Sequence, residues 1–176
     1  PLRTSSAASD VYKRQRLNDG DHVVGLIVAE DHETTILTIT RNGMAKRSRL
    51  GDGEMHPALD EDGIQKTDSN GEPTLERDGY RRSNRGTKGV RTMNLDDDDG
   101  IVVVRQVADL ADQLFLLTEK GMMMRMPAHQ SKETKGRVSK GTRLIELRNA
   151  KKDGYADQVI FAARLPAGLV DDEEEE

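Results

Sequence analysis

Two short boxes in this 176-residue chain carry the residue types suited to gripping phosphate. The first is Arg85-Gly86-Thr87-Lys88-Gly89-Val90-Arg91, and the second is Gly136-Arg137-Val138-Ser139-Lys140-Gly141-Thr142-Arg143. Each sets cations beside glycines, whose missing side chain lets backbone N–H groups come close to an anion. Contacts of that kind ignore base identity, which suits the backbone of a duplex. The candidate phosphate contacts are Arg47, Arg49, Arg82, Arg85, Lys88, Arg91, Arg125, Lys135, Arg137, Lys140 and Arg143, with Gly86, Gly89, Gly136 and Gly141 as the box glycines. If about six to eight cations engage, binding weakens with salt along a log–log slope of roughly −5 to −7. Aromatic residues make up 3% of the chain, too few for stacking on single-stranded bases.

Other chemistries find little support. Neither box is a Walker loop, because Gly-x-x-x-x-Gly-Lys-Ser/Thr is missing. With no cysteine, disulfides, thiolate metal sites and cysteine nucleophiles are excluded, a composition compatible with a reducing cytoplasm. His22, His32, His56 and His129 show no metal-ligand spacing, and no set of nucleophile, base and orienting residue is visible. No catalytic residue, metal site or cofactor is therefore assigned to this chain. No apolar run is long enough to cross a membrane, so no membrane partner is expected. Each basic feature also has a bland alternative. The box glycines could be turn residues beside solvated lysines, and Arg47 and Arg125 could simply keep outer strands soluble. Met122, Met123, Met124 and Met126 read as strand packing, and Asp96 to Asp99 as a solvated turn.

The elements that must position the boxes come in copies. Ile36 to Arg47 (ILTITRNGMAKR) is repeated as Leu114 to Arg125 (LFLLTEKGMMMR), so Thr40 corresponds to Thr118, Gly43 to Gly121 and Arg47 to Arg125. Strands are expected at Ile36 to Thr40 and Leu114 to Thr118, turning at Asn42-Gly43 and Lys120-Gly121, with returns at Met44 to Leu50 and Met122 to Pro127. Val23 to Ala29, Ile101 to Ala108 and Val159 to Leu165 read as three copies of a further strand, each preceded by Asp. A fourth strand follows each box, at Val90 to Leu95 and Thr142 to Leu147. The third unit is represented only by Val159 to Leu165. A unit of about fifty residues with four short strands points to propeller-like blades.

The hairpins recur 78 residues apart but the boxes only 52, which places an insertion of 26 residues between Arg47 and Arg85. Gly51 to Gly79 carries nine acids, two bases and no sustained apolar periodicity, and reads as a long, mobile polar loop. The overall charge of −5 is therefore misleading. Without this insertion and the acidic run Asp171 to Glu176, the repeated body holds 25 bases against 17 acids. Such a basic body suits a nucleic-acid binder whose acidic appendages compete for its own cationic surface.

These residues resemble the carboxy-terminal domain of the bacterial DNA gyrase A subunit. Ile36 to Arg47 matches the hairpin form ILT-x-T-x-NG-x-x-KR of that family. Ser83 to Gly89 is a partial match to its Gln-Arg-Arg-Gly-Gly-Lys-Gly box, keeping Arg85, Gly86, Lys88 and Gly89 while Ser83-Asn84 replace Gln-Arg and Thr87 replaces a glycine. Gly136 to Gly141 is similar to the degenerate box of the last blade. The resemblance spans about Arg16 to Pro166, and the acidic tail is similar too.

What the resemblance implies is an all-β fold, a β-pinwheel of four-stranded antiparallel blades, here about two to three of the last ones. Residues 1–15 are then a non-native or disordered segment, 16–166 the blades with the 51–79 insertion, and 167–176 the acidic tail. The implied function is DNA binding and wrapping for ATP-dependent negative supercoiling by a type IIA topoisomerase. The implied partners are double-stranded DNA, the gyrase A breakage-reunion domain, and gyrase B in an A2B2 holoenzyme in the cytoplasm. ATP and Mg belong to the partner subunit, and the catalytic tyrosine to a domain outside this sequence, so the chain alone should not cut DNA. Two other readings stay open: the C-terminal domain of a topoisomerase IV A subunit, and a propeller-type protein-interaction module.

Overall fold

The computed structural model describes residues 20–29, 31–84, 87–134, 138–147 and 156–167. The segment 1–15 and the acidic run 171–176 lie outside these residues.

The duplicated motif folds twice into the same hairpin. In the first copy β1 (Thr35–Thr40) pairs antiparallel with β2 (Met44–Arg49). The second copy, β6 (Gln113–Thr118) with β7 (Met123–Pro127), pairs the same way. Each turn closes through a glycine N–H donating to a threonine carbonyl at 3.0 Å, Gly43 to Thr40 and Gly121 to Thr118. Both glycines take positive φ, +79° and +77°, and among the described residues only glycines do so. The threonine hydroxyls then accept the next free N–H, from Met44 at 3.2 Å and Met122 at 3.1 Å. Three turn residues ending in a left-handed glycine are a common way to close a hairpin without splaying its strands.

The third strand of each sheet comes from further along the chain. β5 (Ile101–Val107) lies on β1, and β9 (Val159–Leu165) lies on β6, both antiparallel. Both ladders shift register at the same place, between Ile39 and Thr40 and between Leu117 and Thr118. The aspartate before each incoming strand anchors it to the turn of the hairpin it joins. Asp99 accepts N–H bonds from Asn42 and Gly100, while Asp157 accepts them from Lys120 and Gln158.

The two-residue strand β8 (Thr142–Arg143) completes the first blade, in the order β5-β1-β2-β8. The second sheet has three strands, β7-β6-β9. By register, Leu37, Ile39, Ala45 and Val103 share one face of the first blade. They join Leu114, Leu116, Met126 and Ala162 of the second in a single buried cluster, so the two blades pack face to face.

Two expected strands are not formed. Val23 to Ala29 is in no sheet, with Leu26 89% and Val28 80% exposed. Its copies β5 and β9 each sit on the hairpin of the unit before, and no such hairpin is present for Val23 to Ala29 among the described residues. Val90 to Leu95 makes only an isolated bridge, Met93 to Ser139. Its copy, expected over Thr142 to Leu147, is a strand only at Thr142–Arg143 and likewise belongs to the hairpin one unit back. The strands that follow one another in sequence are thus shared between neighbouring blades.

The insertion is ordered rather than a loose loop. β3 (Met55–Pro57) and β4 (Leu75–Arg77) form its stem. Two further arms, bridged at Leu59–Gln65 and Thr67–Pro73, branch from it. At the hub, Ala58 N donates to the Thr74 carbonyl, Thr74 N to that of Lys66, and Lys66 N to that of Ala58. Each arm tip repeats one turn: the Asp60 carboxylate accepts from Asp62 and Ile64, and that of Asp68 from Asn70 and Glu72. Backbone bonds and Asp-Gly turns order a segment that has almost no core.

Candidate nucleic-acid interface

The chain just beyond the first box meets the second box at one edge of the first blade. Asn94 N–H donates to the Ser139 carbonyl at 3.0 Å, and Met93 pairs with Ser139 in a parallel bridge. The chain after the first box therefore runs alongside the second box. Immediately beyond, Thr142 and Arg143 pair with Ala45 and Met44, which fixes this edge to β2. Lys88, Arg91, Lys140 and Arg143 are all exposed here, and Arg82 is exposed just upstream. Arg85, Gly86, Lys135, Gly136 and Arg137 lie outside the described residues.

The glycines at this edge have two different roles. Gly89 (φ +78°) has nothing within 4 Å of where a Cβ would sit, so its backbone is open to an approaching ligand. Gly141 (φ +79°) is a packing residue instead, since a Cβ there would lie 2.5 Å from the Ala45 carbonyl oxygen. Its close approach is to β2 rather than to a ligand.

The remaining cations differ in availability. Lys140 reaches Asp96 at 2.8 Å, an exposed pair of the kind that contributes little and yields readily to a polyanion. Arg49 pairs with Asp78 at 3.3 Å. Arg125 is exposed, its guanidinium 5.8 Å from the centre of the Phe115 ring. Arg47 departs from the expectation of a surface contact, because it is only 5% exposed. Backbone bonds from Arg47 N to Lys132 O and from Thr134 N to Arg47 O bring residues 132–134 alongside β2. Its guanidinium pairs with Glu133 at 3.6 Å, leaving Nε and Nη1 buried without partners. Sequence reasoning passed over Arg41, Arg81 and Lys132, all exposed. Only Arg81, adjacent to Arg82, carried a signal.

Two carboxylates stand out electrostatically. Burial would raise the pKa of Asp157, but hydrogen bonds from the Thr118 side chain and the Lys120 and Gln158 N–H groups together hold it below 3.8. The Glu54 N–H holds Asp52 below 3.8 against desolvation, with His56 adding to the effect. Here the fold makes a grouping that spacing did not signal: oxygens of Asp52 and Asp78 and a ring nitrogen of His56 all lie within 4.8 Å of one another.

Residues 11–30, 34–52, 75–108 and 112–165 match the family described as DNA gyrase C-terminal domain, beta-propeller. The chain belongs to that family. The unmatched stretch 53–74 falls within the insertion, which is thus an addition to the family fold. The chain is 30% identical over 147 residues to the DNA gyrase A subunit of Staphylococcus aureus, covering 83% of this chain and 13% of that protein. It is 29% identical over 132 residues to the Staphylococcus epidermidis counterpart, covering 74% and 12%. The chain thus spans about an eighth of the length of these relatives. Among solved structures, the C-terminal domain of DNA topoisomerase IV matches with TM-score 0.55 at 18% identity, over 89% of this chain and 38% of that one. The E. coli ParC C-terminal domain matches with TM-score 0.54 at 17% identity, over 89% and 51%. These two likenesses establish the all-β blade architecture of this gyrase-family domain. No helix among the described residues is long and apolar enough to cross a membrane.

Proposed function

We propose that this gyrase-family domain binds and wraps duplex DNA as part of a DNA gyrase A subunit, presenting the duplex for ATP-dependent negative supercoiling by a type IIA topoisomerase. The observation that supports the reading is the pairing of the chain just after the first box with Ser139 of the second, beside which Lys88, Arg91, Lys140 and Arg143 are each exposed in sequence. Phosphates spaced regularly along a duplex suit such a row, whereas base-specific readout would need side chains aimed into a groove. The chemistry of strand cleavage belongs in this reading to the breakage-reunion domain, and ATP and Mg to gyrase B, in a cytoplasmic A2B2 assembly. The gyrase A relatives favour this over a topoisomerase IV protein, since the topoisomerase IV likenesses speak for the fold alone. A protein-interaction module would not need its cations gathered on one edge.

The test is to incubate the chain with nicked circular plasmid, seal the nick, remove protein and read the linking number. A shift that grows with protein concentration and disappears at high salt is expected. DNA retention without a shift would remove wrapping, and no retention at low salt by the folded chain would remove the reading altogether.

A further inference from the structure

We propose that Asp52, His56 and Asp78 form a divalent transition-metal site at the neck of the insertion, with Zn2+ as the natural probe. The three come from separate places: Asp52 from the exit of β2, His56 from β3 and Asp78 from the return after β4. Their ligand atoms lie within 4.8 Å of one another, and His56 Nε2 is already 2.8 Å from Asp52 Oδ2. Tetrahedral ligands on bonds of about 2.0–2.2 Å stand roughly 3.4 Å apart. The His56–Asp52 pair at 2.8 Å must therefore open slightly, and the wider separations, within 4.8 Å, close by about 1.4 Å or less. One imidazole and two carboxylates suit zinc or manganese, and three protein ligands leave a position open.

The surroundings support a cation independently of the trio. The site lines a cavity of about 730 Å³ whose charged walls hold Asp52, Glu76, Asp78 and Glu133 against only Arg49 and Arg77. The ligands are also held from behind. Asp52 Oδ1 accepts the Glu54 N–H at 2.8 Å, which leaves Oδ2 for the ion, and Asp78 Oδ2 accepts the Asp52 N–H at 3.3 Å. Arg49, 3.3 Å from Asp78 Oδ1, is the competitor, and its half-exposed side chain is free to turn outward. A bound ion would clamp the neck of the insertion to the end of β2.

The test is calorimetric titration of the whole 176-residue chain with Zn2+ at neutral pH, alongside Co2+ absorption and a thermal melt. One saturable site is expected, with melting raised by the metal. His56→Ala and Asp78→Asn should each weaken that site at least tenfold and abolish the thermal shift, while His129→Ala should change neither. His56 is exposed on a three-residue strand, so His56→Ala should keep the strand spectrum of the parent by circular dichroism. Absence of binding, or binding that survives both His56→Ala and Asp52→Asn unchanged, would overturn the proposal.

Discussion

The two hairpins are built alike and buried differently. β1–β2 and β6–β7 share their turn glycine, their threonine hydroxyl bond, their register shift and their anchoring aspartate. Yet Arg47 is buried while its copy Arg125 is exposed. On the other face both copies are covered, with Thr38, Thr40, Lys46 and Ser48 of the first blade at the positions of Leu116, Thr118, Met124 and Met126 of the second. The cause is what lies beside the outer strand. Residues 132–134 and β8 run along β2, whereas no strand pairs with the free edge of β7 among the described residues. A repeated motif therefore specifies backbone geometry, while the neighbour of each copy decides what its side chains do.

The largest separation is expected at the turn glycines. A Cβ on Gly43 would stand 2.8 Å from the Ile145 side chain, but one on Gly121 would meet nothing within 4 Å. Both substitutions by alanine incur the left-handed backbone cost of about 1 kcal/mol, and Gly43→Ala adds an overpacking term of about 1–3 kcal/mol. Urea unfolding should thus show Gly43→Ala well below Gly121→Ala, and equal losses would break the comparison. Next comes the arginine pair. Arg47→Ala should cost about 2 kcal/mol by leaving a void beside β2, and Arg125→Ala less than about 0.5 kcal/mol. Urea midpoints of the two variants check that order.

Acid should act through the anchoring Asp157. Because hydrogen bonds lower the folded pKa of Asp157, its contribution is present above the ordinary carboxylate range and is lost as pH falls through the folded value, below 3.8. Asp157→Asn should flatten that part of the stability profile, measured by urea midpoints from neutral pH down into the acid range, and an unchanged profile would remove the anchoring role. The smallest effect concerns Lys140. Asp96→Asn should raise duplex affinity about twofold at low salt by freeing that cation, read by fluorescence anisotropy.

Much of this architecture was legible in the sequence, for a physical reason. Hairpin chemistry is local, so ILTITRNGMAKR and LFLLTEKGMMMR declare their turns and strands wherever they stand. Strand status is not local. Val23 to Ala29 has the apolar pattern of β5 and β9, but a strand needs a partner, and that partner belongs to a neighbouring blade. The burial of Arg47 was invisible for the same reason, since its cover arrives 86 residues later with Glu133. In the insertion the polar composition suggested disorder, although Asp60…Gly63 and Asp68…Gly71, spaced alike, held the signal of two identical turns. His56 met its carboxylates only because β3 and β4 close that ribbon.

The most direct test of the shared box edge is the salt dependence of binding to a linear duplex of mixed sequence. Parent, Arg47→Ala, and a triple variant with Lys88, Arg91 and Arg143 changed to alanine would be compared. The log–log slope should shrink by about 2–3 in the triple variant, close to about 0.9 for each phosphate contact removed, and stay unchanged in Arg47→Ala. A triple variant that keeps the parent slope, or an Arg47→Ala chain that folds but loses it, would contradict the account.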